Sequence, residues 1–172
     1  MKLLEQIILQ AIEQKVNAKN FVALKQRLSS ISKNAQPSNQ SLLKVYRKMK
    51  IAAYPILEKI LKTREIRTLS GVAVVTVLTK PYPCPGACIY CPTDARMPKS
   101  YLPDEPAAAR ALSLKFNPYE QVKQRIKMLE MNGHDTDKIE LIVKGGTWSA
   151  YPRKYQEWFI QRCFEAANPP KF

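Results

Sequence analysis

The chain has 172 residues, 45% of them apolar, which is enough for a packed core and excludes a disordered or fibrous polypeptide. Its 28 Lys and Arg against 14 Asp and Glu give a net charge of +14, which favours a polyanionic partner, nucleic acid first. No apolar run is long enough to cross a bilayer, and three of the four cysteines crowd into one short stretch, so the reading is a cytoplasmic, metal-binding chain with no disulfide framework.

Leu3, Leu4, Ile7, Ile8, Ala11 and Ile12 recur at helical spacing, as do Phe21, Leu24 and Leu28 after them. A polar break at Lys33 to Asn39 precedes a third pattern with Leu42, Leu43, Tyr46 and Met49. Pro55 opens a fourth with Ile56, Leu57, Ile60 and Leu61. This helical region, residues 1–68, holds half of the basic side chains and few acids (Glu5, Glu13, Glu58, Glu65). Its helices are expected to carry Lys15, Lys19, Lys25, Arg27, Lys33, Lys44, Arg47, Lys48 and Lys50 as a phosphate-binding surface that reads no sequence.

The character changes at Ser70-Gly71. Val72 to Thr79 reads as a buried strand, being β-branched and uncharged. Residues 80–105, crowded with Pro81, Pro83, Pro85, Pro92, Pro98 and Pro103, read as a loop. Pro106 marks a helix start. Asn117-Pro118-Tyr119-Glu120 has the layout of a capping box and opens a second helix that Gly133 closes. Ile139 to Val143 is a second strand, followed by a Gly-Gly loop and a helix from about Arg153 to Ala167. Strands alternating with helices imply a parallel α/β layer, so residues 69–172 are expected to be an incomplete α/β domain.

Cys84 to Cys91 reads CPGACIYC, with spacing C-x-x-x-C-x-x-C directly after a strand. Three thiolates on one tight loop suit three irons of a four-iron four-sulfur cluster, leaving the fourth iron open to the amino and carboxylate groups of S-adenosylmethionine. Tyr90, inside the motif, is a candidate to pack on the cofactor's adenine. Lys144 to Trp148, KGGTW, puts two glycines at the carboxyl edge of the sheet, where such folds bind ligands. The competing reading is a basic RNA-binding module with structural zinc or a non-catalytic cluster, and a zinc site would need His134 or Cys163 as its fourth donor. Cys163 shares a helix face with Tyr155, Trp158, Phe159 and Ala166, which favours a place in the core.

Taken together, PSNQSLLKVYRK, REIRTLSGVAVVTVLTKP, CPGACIYCP, SYLPDEPAAARAL, NPYEQVKQRIKMLE and GHDTDKIELIVKGGT resemble the catalytic subunit of Elongator and its archaeal and bacterial counterparts, the tRNA carboxymethyluridine synthases. The resemblance implies the first βα units of a radical S-adenosylmethionine partial (β/α) barrel, preceded by a tRNA-binding helical region. It implies a cluster on Cys84, Cys88 and Cys91, and a clamp for S-adenosylmethionine formed by Gly145, Gly146 and Thr147. Lys138 matches a family lysine linked to acetyl-CoA. The implied reaction uses a 5'-deoxyadenosyl radical to activate the acetyl group of acetyl-CoA for addition to carbon five of the tRNA wobble uridine. An acetyltransferase-like part, outside these 172 residues, is implied as well.

Overall fold

A computed structural model describes residues 2–169; Met1 and residues 170–172, which the expectations above assign to the helical region and to the α/β domain, lie outside the described residues. The chain forms two compact units. One runs to Gly71 and also includes Met128–Thr136; the other comprises Val72–Lys127 and the residues from Asp137 onward.

The first unit is helical, with α1 (Leu3–Glu13), α2 (Ala18–Ile31), α3 (Asn39–Tyr46) and α4 (Pro55–Leu61). The starts have local causes. The Asn17 side chain accepts the Asn20 N–H and the Ser38 hydroxyl accepts that of Ser41, satisfying donors that a helix start leaves unpaired. Pro55 occupies the first turn of α4, where no N–H is needed. The apolar spacing places Ile7, Ile8, Phe21, Leu24, Leu42, Leu43, Leu57 and Leu61 in one core. Met49 falls beyond α3, and Ile56 is exposed.

His134 is buried in this unit and engaged at both ring nitrogens. Nε2 lies 2.9 Å from the Thr63 carbonyl, which can only accept, so the proton sits there and Nδ1 accepts from the Thr68 hydroxyl at 2.9 Å. The basic residues expected on helices are only partly so. Lys19, Lys25, Arg27 and Lys44 are helical, whereas Lys15, Lys33, Arg47, Lys48 and Lys50 sit at or beyond helix ends. Lys15 and Lys33 adopt φ of 47° and 53°, the left-handed turn that terminates α1 and α2.

The second unit contains β1 (Ala73–Leu78), α5 (Pro106–Ser113), α6 (Pro118–Met131), β2 (Ile139–Lys144) and α7 (Arg153–Ala167), the last turn of α6 being counted with the first unit. The Asn117 side chain accepts the Glu120 N–H at 3.2 Å, giving α6 its start. The strands pair in parallel, Ala73 opposite Ile139 through Leu78 opposite Lys144. Leu78, Met97, Ala108, Ala111 and Phe116 form a core cluster, to which the cysteine loop contributes Met97. Short 3-10 turns at Glu65–Thr68 and Trp148–Ala150 were not signalled by the sequence pattern. Among the described residues the sheet has two strands, so a mixed fold with a small parallel sheet is observed, and two strand–helix units do not by themselves show the barrel they were expected to begin. No helix among them is long and apolar enough to cross a membrane.

The outer edge of β1 is capped at its last residue by a side chain. The N–H groups of Ala73 and Thr79 reach the Lys138 and Lys144 carbonyls, so by alternation Leu78 turns its peptide groups away from β2. Gln121 of α6, buried, meets both of them. Its Oε1 accepts the Leu78 N–H at 2.9 Å and its Nε2 donates to the Leu78 carbonyl at 3.0 Å, as a neighbouring strand would. Replacing Gln121 with Leu strands both groups, and a loss of about 2–3 kcal/mol is expected by urea denaturation, since each buried unsatisfied group costs about 1–3 kcal/mol. A loss within error of zero would mean that water or a shift of α6 takes over the role.

Candidate functional site at the carboxyl edge of the sheet

Both strands end toward the same edge, and the loops that follow them meet. Where β1 gives way to the cysteine loop, Thr79 is buried and Lys80 begins the exit. Two tyrosines hold this point. The Tyr151 hydroxyl donates to the Lys80 carbonyl at 2.7 Å, which leaves its oxygen to accept from the Thr79 hydroxyl at 2.7 Å. The Tyr155 hydroxyl accepts the Lys80 N–H at 3.1 Å. Burial pushes the Tyr155 phenol up to about 12 and raises that of Tyr151, so both stay protonated at neutral pH. Stacking of Tyr151 on Tyr82 at 4.8 Å and on Tyr155 at 5.1 Å carries the support into the loop and back to α7.

The loop brings its three cysteines to the surface, each beside a hydroxyl. Cys84 Sγ lies 3.1 Å from Thr147 Oγ1, and Cys91 Sγ lies 2.9 Å from Ser100 Oγ. Hydrogen bonding from the Thr147 side chain, then from the backbone of Gly86 and Thr147, holds the Cys84 thiol below its ordinary range. The Tyr90 phenol is raised chiefly by a hydrogen bond with Cys88. A turn joins the Cys91 N–H to the Cys88 carbonyl at 3.2 Å. At Gly86 an added Cβ would stand 3.6 Å from Cys84 Sγ and 3.7 Å from Cys88 Sγ, so these two sulfurs flank the same glycine. Farther along, Asp94 grips the Arg96 guanidinium through both carboxylate oxygens, and that cation holds its carboxyl at about 2.

The Gly-Gly loop packs directly on this assembly. A Cβ on Gly146 would lie 3.5 Å from Lys99 Cβ and 3.8 Å from Cys84 Cβ, while one on Gly145 would run into the Thr79 side chain. A cavity of about 480 Å³ opens beside it, lined by Thr79, Tyr101, Val143, Gly145, Trp148 and Tyr151, a size that suits a nucleoside-bearing ligand.

The structure therefore places Gly146 and Thr147 against Cys84, sets Cys88 across Gly86 from it, ties Cys91 to Cys88 through the backbone, and packs Gly145 on Thr79. Tyr90 is beside Cys88 but 84% exposed, with no ring partner in the loop. Lys138 stands at the start of β2, a strand length from the glycines, on the opposite edge of the sheet. In the helical unit, Lys15, Lys19, Arg27, Lys44, Lys48 and Lys50 are exposed. Lys25 and Arg47 are engaged internally, Lys25 with Asn39 at 3.1 Å and Arg47 with the Glu130 carbonyl at 3.0 Å.

Among the described residues no three His, Cys, Asp or Glu side chains converge on one ion. The extra donors that a zinc site would need are committed elsewhere: both His134 nitrogens are bonded, and Cys163 is buried with its thiol pushed up to about 12. Trp158, expected on the buried face with Cys163, is partly exposed because that face narrows to Phe159, Cys163 and Ala166. Sequence reasoning missed Thr79, Ser100, Tyr151 and Tyr155, and only the aromatic crowding of residues 148–159 hinted at the last two.

No family model matches the chain. It is 47% identical over 138 residues to a tRNA uridine(34) acetyltransferase of Methanocaldococcus infernus, covering 77% of this chain and 25% of that protein. It is 34% identical over 178 residues to Elongator complex protein 3 of Mus musculus, covering 94% of this chain and 32% of that one. The chain is a homologue of these proteins. It spans about a quarter to a third of their length. The solved structure of the archaeal Methanocaldococcus infernus Elp3 with an N-terminal deletion aligns at 38% identity and TM-score 0.41, over 59% of this chain and 17% of that one.

Proposed function

We propose that the chain carries the cofactor site of a radical S-adenosylmethionine enzyme that modifies carbon five of the tRNA wobble uridine with acetyl-CoA as co-substrate. The observation that carries this reading is the packing of Gly146 and Thr147 against Cys84, which puts a three-thiol loop and an open glycine loop side by side at one edge of a parallel sheet. Kinship to proteins named tRNA uridine(34) acetyltransferase supplies the substrate class, and the net charge of +14 fits tRNA.

The donor set fits a four-iron four-sulfur cluster: three exposed or half-exposed thiols on one loop, two of them flanking Gly86. Cys84, Cys88 and Cys91 would hold three irons, and the bound cluster would supply the electron that cleaves S-adenosylmethionine. The remaining tasks belong to side chains and backbone of this chain. The backbone of Gly145 to Thr147 would orient the amino end of the cofactor, and the cavity walled by Tyr101, Trp148 and Tyr151 would seat the rest of it. Tyr151 and Tyr155 keep the root of the cysteine loop fixed. Exposed Lys19, Arg27, Lys44 and Lys48 contact tRNA phosphates.

Anaerobic reconstitution tests the reading. About four irons and about four sulfides per chain, with S-adenosylmethionine cleaved to 5'-deoxyadenosine under reductant, are expected for one cubane. One tightly held zinc and no iron uptake would overturn it.

A further inference from the structure

Ser100 has a backbone that serine rarely adopts. Its φ is 76°, a conformation that costs a non-glycine residue of order 1 kcal/mol and persists only where its surroundings enforce it. Here the enforcement comes from the cysteine loop. The Ser100 N–H donates to the Pro92 carbonyl at 3.4 Å, and its Oγ lies 2.9 Å from Cys91 Sγ, so one residue grips both Cys91 and its successor. The direction of the second bond follows from the partners. Cys91 Sγ also lies 3.8 Å from the Pro92 carbonyl, the acceptor for its own thiol hydrogen, and once the sulfur is a thiolate it can only accept.

We propose that Ser100 is a positioning residue for the cluster: its hydroxyl donates to the Cys91 thiolate, aims that sulfur and withdraws electron density from the iron it would hold. The proposal rests on the cluster reading above. Hydrogen bonds to ligating sulfur favour the reduced state and raise the reduction potential. Ser100 thereby helps to set the driving force for electron delivery, while Cys91 alone supplies the bond to iron.

Two substitutions separate the hydroxyl from the backbone. Glycine is the residue best suited to φ of 76°, so Ser100→Gly removes the hydroxyl while relieving strain, and Ser100→Ala removes it while retaining strain. The measurement is the midpoint potential of the reconstituted cluster by redox titration with electron paramagnetic resonance, with iron and sulfide counted alongside. Both variants are expected to load iron as the wild type does and to titrate at a more negative potential. A wild-type midpoint in Ser100→Gly would assign Ser100 a purely conformational role and overturn the proposal. Loss of iron from both variants would overturn it too, because the residue would then be required for assembly. Failure of the wild-type chain itself to take up iron would overturn the cluster reading, an outcome seen before any variant is compared.

Discussion

Replacing Cys88 with Ala is expected to abolish cluster uptake, lowering bound iron after reconstitution to background, while thermal unfolding stays within about 0.5 kcal/mol of wild type, as for other exposed positions. Cys88 and its neighbours Ile89 and Tyr90 are exposed, so the change opens no cavity. A cubane left with two protein ligands of three loses its hold. Binding of tRNA, which is assigned to the helical unit, should persist. Fluorescence anisotropy with labelled tRNA would check this, and a fall in tRNA affinity matching the loss of iron would refute the division of labour. Cys163→Ala should behave in the opposite way, keeping iron but costing stability, because Cys163 is packed inside the second unit.

Gly145→Ala is expected to cost both folding stability and cofactor affinity. The Gly145 backbone is not left-handed, so a side chain is excluded by space alone: its Cβ would collide with the Thr79 side chain. Thr79 has little room to yield, being buried, at the end of β1 and bonded to Tyr151. Overpacking of this kind costs about 1–3 kcal/mol. Displacement of the glycine loop should weaken S-adenosylmethionine binding to the reconstituted protein at least about tenfold, read by calorimetry, which corresponds to about 1.4 kcal/mol. Gly146→Ala meets only ordinary contacts at 3.5 Å and beyond, and should fold like wild type. The double variant Gly145→Ala with Thr79→Ala removes the obstruction and should recover part of the stability, a non-additivity expected of touching residues. Equal behaviour of the two glycine variants would contradict this assignment.

The elements that announced themselves in the sequence did so through punctuation and periodicity. Pro55, Pro106 and Pro118 stand at helix starts, the left-handed Gly133 follows the end of α6, and the uncharged run before the cysteines is β1. The neighbourhood of Cys84 with Gly146 and Thr147 was likewise readable, because parallel strands deliver the loops that follow them to one edge. What escaped were the roles that rest on one side-chain hydrogen bond across the chain. Gln121 looks like an ordinary polar helix residue until its amide is seen against Leu78. Ser100 sits among prolines with nothing in its identity to signal a left-handed backbone or a bond to Cys91. Tyr155 reads as a core aromatic of the last helix and Tyr151 carries no signal of its own, although the hydroxyls of both hold Lys80. The 3-10 turns were too short to carry a period.

The pairing of Gln121 with Leu78 also has a consequence for how the sheet grows. With Leu78 engaged by a side-chain amide, a further strand beside β1 has no peptide groups to join at that residue. The alternation that turns Leu78 outward also turns the peptide groups of Ile139, Leu141 and Val143 toward the far side of β2. A strand laid along β1 would therefore lose its ladder at Leu78, whereas one laid along β2 would meet the outward peptide groups of all three residues.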